Sequence, residues 1–375
     1  MAGIYLHIPF CKQACHYCDF HFSTSTKNQD KVVDAMEKEI ELRQDYLQDK
    51  SIETIYFGGG TPSLLSKSQL EKLLLKIHSV YDVEQDVEIT LEVNPDDLNA
   101  EKLFELKQAG INRLSIGIQS FFNRDLTFMN RSHNVSQAIE CVKNAQKVGF
   151  DNITIDLIYG IPNQTNEEWE RNLLQAINLN VQHISSYCLT VEPKTALAHM
   201  VKKKQVIQVT DEVAEQQFNM LVQVLGDNGL EQYEISNFAK EGFISQHNSN
   251  YWRGVKYIGV GPSAHSFDGH SRQWNVANNN LYLKALENDK LDFEKEILTE
   301  NQRYNEYILT SLRTKWGTNE NFIFNNFDQK MTNFFKKESK KQQKEGFLLK
   351  NDENYVLSAK GKFLADRLAS DLFYL

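Results

Sequence analysis

The chain is sparing with the residues that staple, stiffen or span. Of 375 residues, five are cysteine and six are proline. Five is an odd number thinly spread, and no basic segment leads into a long apolar one near the start, so neither a disulfide framework nor export is expected. No apolar run approaches the roughly twenty residues of a membrane span. Positive charge is short as well: 41 Lys and Arg face 50 Asp and Glu, a net charge of −9. That balance is poor for holding phosphate backbones, so no nucleic-acid partner is expected. The basic run Lys336-Lys337-Glu338-Ser339-Lys340-Lys341 reads as a solvated helix face. These absences leave a cytoplasmic chain of ordinary globular composition, long enough for two or three domains or one large domain with an appendage.

Three of the five cysteines are crowded into Cys11-Lys12-Gln13-Ala14-Cys15-His16-Tyr17-Cys18, just after the apolar stretch Ile4–Ile8. A loop with C-x3-C-x2-C spacing can wrap one face of an iron–sulfur cube, whose usual ligands are thiolates. Three ligands leave the fourth iron open for chemistry. The loop alone also allows zinc, with Cys11, Cys15, Cys18 and His21 closing a Cys3His site. Its spacing resembles the cluster loop of the radical S-adenosylmethionine (radical SAM) enzymes.

From residue 3 to about 192 short apolar strands alternate with amphipathic helices. The predicted strands are Ile4–Ile8, Thr54–Phe57, Val87–Val93, Arg113–Gln119, Asn152–Tyr159 and His183–Val191. Several are apolar at most positions, as strands covered on both faces should be. Val32, Val33, Met36, Ile40 and Leu47 recur at helical steps between the first two. Strand plus helix repeated is the βαβ unit of a parallel sheet. Eight units close a (β/α)8 barrel. Six predict an α/β fold with a partial, laterally open (β/α)6 TIM-like barrel, although periodicity alone also allows a doubly wound open sheet. All six prolines, Pro9, Pro62, Pro95, Pro162, Pro193 and Pro262, fall at or just past a predicted strand, where a missing N–H is tolerated.

Sites in such barrels lie at the C-terminal ends of the strands. Those ends carry the three cysteines, then Gly58-Gly59-Gly60-Thr61-Pro62, Glu92, Gln119, Asp156, and finally Tyr187 with Cys188. Three glycines can be no more than a tight turn, but after a buried strand they also expose backbone to a close ligand. A carboxylate or amide in an apolar strand costs free energy unless it is hydrogen-bonded. One would read as a structural network; three on three strands at the same end read as a ligand site. Arg131 can pair with a ligand carboxylate, and Cys141 reads as core.

The cysteine loop, Gly58–Pro62, Gln119 and Asp156–Pro162, in this order and spacing, resemble radical SAM proteins, and in detail the oxygen-independent coproporphyrinogen III oxidase family. The resemblance runs from about residue 3 to the C-terminus. It implies that Cys11, Cys15 and Cys18 hold a [4Fe-4S] cluster and that S-adenosylmethionine chelates the open iron. It assigns Gly59, Gly60 and Thr61 to the amino end of S-adenosylmethionine, and Glu92, Gln119, Arg131 and Asp156 to its methionyl and ribose parts. Tyr5 and Tyr17 would flank the cluster and adenine, with Cys188 and Ile258 as further contacts. The implied chemistry is one-electron cleavage of the sulfonium to a 5′-deoxyadenosyl radical, carried by the cofactor and positioned by the protein. The implied domains are a radical SAM partial barrel at 1–195, a barrel extension at 196–295 and a mainly helical, winged-helix-like domain at 296–375.

Two departures select a branch. The dehydrogenases of the family carry a fourth cysteine two residues after the third, where this chain has Phe20, and they carry an N-terminal extension, which is not expected where only four residues precede Tyr5. Both features resemble the HemW-type heme chaperone branch. His247-Asn248-Ser249-Asn250-Tyr251-Trp252 matches that branch's H-N-x-x-Y-W motif. Histidine is a common axial ligand of heme iron, and Tyr251 and Trp252 can lie against a flat macrocycle. The alternative is that His247 and Trp252 only order the loop before Tyr257–Gly261, with His7, His16, His21 or His265 as the heme ligand. The expected function is delivery of heme to hemoproteins such as membrane cytochromes, which would bring peripheral membrane contact through the recipient. A flavodoxin or ferredoxin is the expected electron donor. The enzymatic alternative is anaerobic coproporphyrinogen III dehydrogenase, and a third class is a zinc-stabilised binding protein.

Overall fold

The computed structural model describes residues 1–375. Its centre is a twelve-stranded sheet ordered β12-β11-β10-β9-β1-β2-β3-β4-β5-β6-β8-β7. Strands β1 (Ala2–Ile8), β2 (Ser51–Gly59), β3 (Asp82–Val93), β4 (Arg113–Gln119), β5 (Asn152–Tyr159) and β6 (His183–Cys188) run parallel, each joined to the next through a helical connection. The short strand β8 (Asn237–Ala239) adds antiparallel to β6, and β7 (Glu231–Glu234) adds antiparallel to β8 at the sheet edge. On the other flank β9 (Tyr257–Val260) pairs parallel with β1, followed by the antiparallel β10 (His265–Phe267), β11 (Ser271–Asn275) and β12 (Phe293–Ile297).

Outward-facing residues of the parallel strands, among them Ile4, Leu6, Ile55, Leu91, Ile116 and Ile155, pack against the helices in one continuous apolar core. The helices begin where their sequences cap them. Ser66, Asn134 and Thr165 each form a capping box with the glutamine or glutamate three residues on. A second core, from Tyr304 to Leu372, sits under a sheet of β13 (Thr318–Asn319), β14 (Leu348–Asn351) and β15 (Asn354–Leu357). In the helix Gln329–Lys344 the buried face is Met331, Thr332, Phe335, Ser339 and Gln342, while Lys336 pairs with Glu320 at 2.9 Å. The basic run therefore lies on a partly ion-paired outer surface.

Two expectations need correction. Strand six stops at Cys188, because its partner β5 ends at Tyr159 and Gly160 (φ +72°) turns the chain away, leaving Thr190 and Val191 nothing to pair with. The parallel pattern does not end near residue 195 either. Residues 257–260 return to the sheet as a seventh parallel strand against β1, which sequence distance concealed. The chain closes with two short helices, Ala359–Lys362 and Ala365–Ser370.

The extension beyond β9 is pinned by a buried carboxylate. Glu39, fully buried, accepts hydrogen bonds from Arg43 (2.9 Å), the Gly261 N–H (2.8 Å), Asn275 (2.7 Å) and the Tyr282 hydroxyl (2.6 Å). Arg43 also donates to the Gly259 carbonyl at 2.7 Å and to Ser266 at 2.9 Å. A buried ion pair satisfied this completely fixes the register of β9 to β11 against the helix Gln29–Leu42.

Candidate cluster and S-adenosylmethionine site

The cysteine loop leaves the end of β1 and is tied back at several points. Cys11 donates its N–H to the Ser23 carbonyl (3.0 Å), His16 its N–H to Met129 (3.1 Å), and Asn130 its side-chain amide to Ala14 (2.7 Å). Cys11, Cys15 and Cys18 are free, partly exposed thiols close enough to influence one another electrostatically. Burial raises Cys11, against a hydrogen bond from Thr61, and lifts Cys18 to about 11. Both therefore stay protonated until a metal displaces the proton. His21 points its Nε2 at Asn279 (2.7 Å) and its backbone carbonyl at His7 (2.9 Å). Three free thiols supply the ligand type and number of a cluster with one open iron.

The triple glycine is forced by close approach. Gly59 has φ +102°, and a Cβ there would lie 2.6 Å from the His7 ring. A Cβ on Gly60 would lie 2.6 Å from the Phe10 carbonyl oxygen and 2.7 Å from that of Ile8. The N–H groups of Gly59, Gly60 and Thr61 are already donated to Glu92 (3.2 Å), Ile8 (2.9 Å) and Phe10 (2.6 Å). What this turn still offers is oxygen, the right partner for an ammonium group.

Around it stand the strand-end polar residues. Glu92 accepts from the Tyr56 hydroxyl at 2.8 Å and from Gly59, and pairs with no basic side chain. Burial, partly offset by Tyr56 and reinforced by Asp156, pushes it up to about 7. Asp156 is pushed up to about 6 by burial, against Arg113, Ser185 and Ser115. Two recessed carboxylates with raised pKa values are poised for a cationic ligand, whose charge would ionise them. Gln119 ends β4 at φ +70°, a strained conformation for a side chain other than glycine and of the kind that collects at functional sites. Arg131 reaches the Asn94 amide oxygen at 2.6 Å, the Gly117 carbonyl at 2.8 Å and Cys15 Sγ at 3.3 Å, while its Nε is buried without a partner. Tyr17 lies beside Arg131, Cys15, Cys18 and Asp156. Tyr5 bonds His7 at 3.2 Å and stacks on Tyr56 at 6.1 Å. An unpaired carboxylate, an orphaned guanidinium N–H and oxygen-rich backbone form a donor set that suits a zwitterionic, cationic amino-acid derivative.

Two proposed contacts lie elsewhere. Ile258 pairs with Ile4 in register, and both are fully buried in the core on the helix side of the sheet. Its side chain points away from the barrel interior, since alternate residues face opposite sides. Cys188 lines a separate cavity of about 270 Å³ with Gly160, Leu197, Val209 and Ala214.

The heme motif is also placed differently from expectation. His247 is 2% exposed at the floor of the barrel, near the start of β1 and β2. Its Nδ1 is bonded to Thr54 at 2.8 Å and its Nε2 to the Tyr251 hydroxyl at 2.9 Å, and its ring stacks on Tyr56 at 4.9 Å. Glu88 caps the helix Gln246–Trp252 through the N–H groups of Gln246 and His247, both at 3.0 Å. Burial and nearby Arg113 hold the imidazole neutral, down to about 3. Trp252 lies under Arg313, 5.3 Å from its ring centre. His247 therefore has no free nitrogen for iron in this conformation. Glu88, Arg113 and Tyr56, none of them singled out from sequence, build this floor. Their signal was the period-two run Glu88, Thr90, Glu92 inside an apolar strand.

An open parallel barrel with three thiols and a cation-receptive rim defines a radical SAM protein, and residues 5–176 match the model of the Radical SAM superfamily. Over 98% of its length, and 98% of the relative's, the chain is 34% identical to the heme chaperone HemW of Bacillus subtilis. It is 36% identical to HemW of Lactococcus lactis over 84% of this chain and 82% of that one. The solved structure of coproporphyrinogen III oxidase (HemN) from Escherichia coli, a radical SAM enzyme, superposes with a TM-score of 0.84 at 22% identity, covering 99% of this chain and 90% of that one. Within the superfamily, the chain belongs to the HemW family. Membership implies a [4Fe-4S] cluster and S-adenosylmethionine. No helix is long and apolar enough to cross a membrane.

Proposed function

We propose that this protein is a heme chaperone that holds a [4Fe-4S] cluster, S-adenosylmethionine and heme, and passes heme to recipient hemoproteins. The observation that carries this reading is the near full-length likeness to heme chaperones, combined with an intact cysteine loop and strand-end rim. Cys11, Cys15 and Cys18 would hold the cluster. Glu92 and the oxygens around Gly59–Thr61 would take the amino group of S-adenosylmethionine, Arg131 its carboxylate, and Gln119 and Asp156 its ribose, with Tyr5 and Tyr17 alongside. When bound, the pair supplies one-electron cleavage of the sulfonium. The residues of the rim orient the ligand above a buried, hydrogen-bonded floor. A flavodoxin or ferredoxin would supply the electron, and any membrane contact would come through the recipient.

Phe20 separates this reading from coproporphyrinogen dehydrogenation. It is 66% exposed at the place where the dehydrogenases carry their fourth cysteine. The test is an anaerobic assay of cluster-loaded protein with S-adenosylmethionine, reductant and coproporphyrinogen III, alongside a heme titration. Saturable heme binding with no protoporphyrinogen is expected. Protoporphyrinogen formed together with 5′-deoxyadenosine would overturn the reading.

A further inference from the structure

The family motif leaves the heme ligand unassigned, because both nitrogens of His247 are engaged inside the barrel. The chain has ten histidines. His7, like His247, has both ring nitrogens bonded, one to Tyr5 and one to the His21 carbonyl. His133 and His183 are buried and each is bonded through Nε2, to the Ile118 carbonyl and the Tyr233 hydroxyl. His16 and His21 are half-buried, each with one nitrogen committed, to Phe128 and Asn279. His78, His199, His265 and His270 are exposed. Of these four, His265 alone has an aromatic neighbour, Trp274, 6.0 Å away and nearly parallel.

The position of His265 in the fold adds to this. It follows the turn after β9, at the same end of the sheet as the cysteine loop, and lies near enough to His7 to disfavour protonation of that ring. Its backbone packs on Gly259, where any Cβ would meet the His265 carbonyl at 2.0 Å, and Gly259 is the register partner of Tyr5. The pairs His265–Trp274 and Phe267–Arg272 share one face of the β10–β11 ribbon, and the pairing of Phe267 with Tyr257 makes that face continuous with the barrel interior. The ribbon is held rigid by the Glu39–Arg43 network. An exposed imidazole with no hydrogen-bond partner, buttressed by an indole on a fixed ribbon beside the cysteine loop, has the chemistry of an axial heme ligand.

We propose that His265 is the residue that ligates heme iron, with Trp274 supporting its ring, at the open flank of the barrel. His247 then serves as a positioning residue that holds Tyr56, and through it Glu92. The assignment rests on the heme-chaperone reading, and the experiment separates the two. Full-length, cluster-loaded wild-type protein is titrated anaerobically with ferric heme, following the Soret band and the low-spin ferric signal. If wild type gives neither, the chaperone reading fails. If wild type binds, the assignment predicts that His265→Gly loses the wild-type spectrum, that its affinity falls at least tenfold, and that free imidazole restores the low-spin signal. Circular dichroism and iron content check that the variant is folded and loaded. A wild-type spectrum in His265→Gly, or a loss that imidazole does not restore, overturns the assignment.

Discussion

The two ends of the barrel use the same residue types to opposite effect. At the floor, His247, Glu88 and Arg113 are buried and, apart from the Arg113 Nε, which lies 3.9 Å from Glu88 without a hydrogen bond, are mated to one another and to Thr54, Tyr251, Thr90 and Thr154. At the rim, Glu92 has no cationic partner, Arg131 has an orphaned N–H and three thiols stand free. A polar group satisfied inside the protein acts as structure, and one left poised at the mouth is available to a ligand.

The largest expected effects separate the ends cleanly. Changing Cys11, Cys15 or Cys18 to alanine should remove the iron and acid-labile sulfide almost completely while leaving the unfolding midpoint of the metal-free protein nearly unchanged. Glu88→Ala should do the reverse. It strips the carboxylate from a buried arginine and uncaps a helix, a loss of about 3–5 kcal/mol in chemical denaturation, with the cysteine loop untouched. A full cluster complement and wild-type stability in Glu88→Ala would break the comparison.

A smaller, pH-dependent effect sharpens it. The folded pKa of Glu92, raised from 4.5 to about 7, means the native state holds a proton that the unfolded chain releases earlier. The ligand-free protein should therefore lose stability as pH rises from 4.5 to about 7, and Glu92→Gln should flatten that loss. Binding of S-adenosylmethionine should run the other way, tightening by roughly tenfold between pH 6 and 8 as the carboxylate ionises. Calorimetry on cluster-loaded protein checks this, and a pH-independent affinity in the wild type would contradict it. The smallest effect is at Gln119. Glycine there should relieve left-handed strain and change stability by no more than about 1 kcal/mol, yet weaken S-adenosylmethionine binding. Unaltered affinity would assign Gln119 to the backbone turn alone.

Much of the rim was legible because it is local. Cys11, Cys15 and Cys18 lie within eight residues, and each strand end is read within its own strand. The floor and flank were not. His247 meets Thr54 across 193 residues, and Arg43 meets Ser266 across 223. Ile258 is a ligand contact only by resemblance; the face it occupies is set by pairing with Ile4, which no local pattern reveals. The H-N-x-x-Y-W motif reads as a loop from sequence, whereas the structure makes it the helix Gln246–Trp252, in which His247 and Tyr251 lie one turn apart and are bonded to each other.

The most direct measurement is heme transfer. Heme-loaded protein with its cluster reduced and S-adenosylmethionine bound is mixed with an apo-hemoprotein, in parallel with heme-loaded Cys15→Ala. Rapid growth of the recipient's Soret band from the cluster-loaded protein, and much slower growth from Cys15→Ala, is the expected result. Equal delivery from both would contradict a chaperone that needs its cluster to pass heme on.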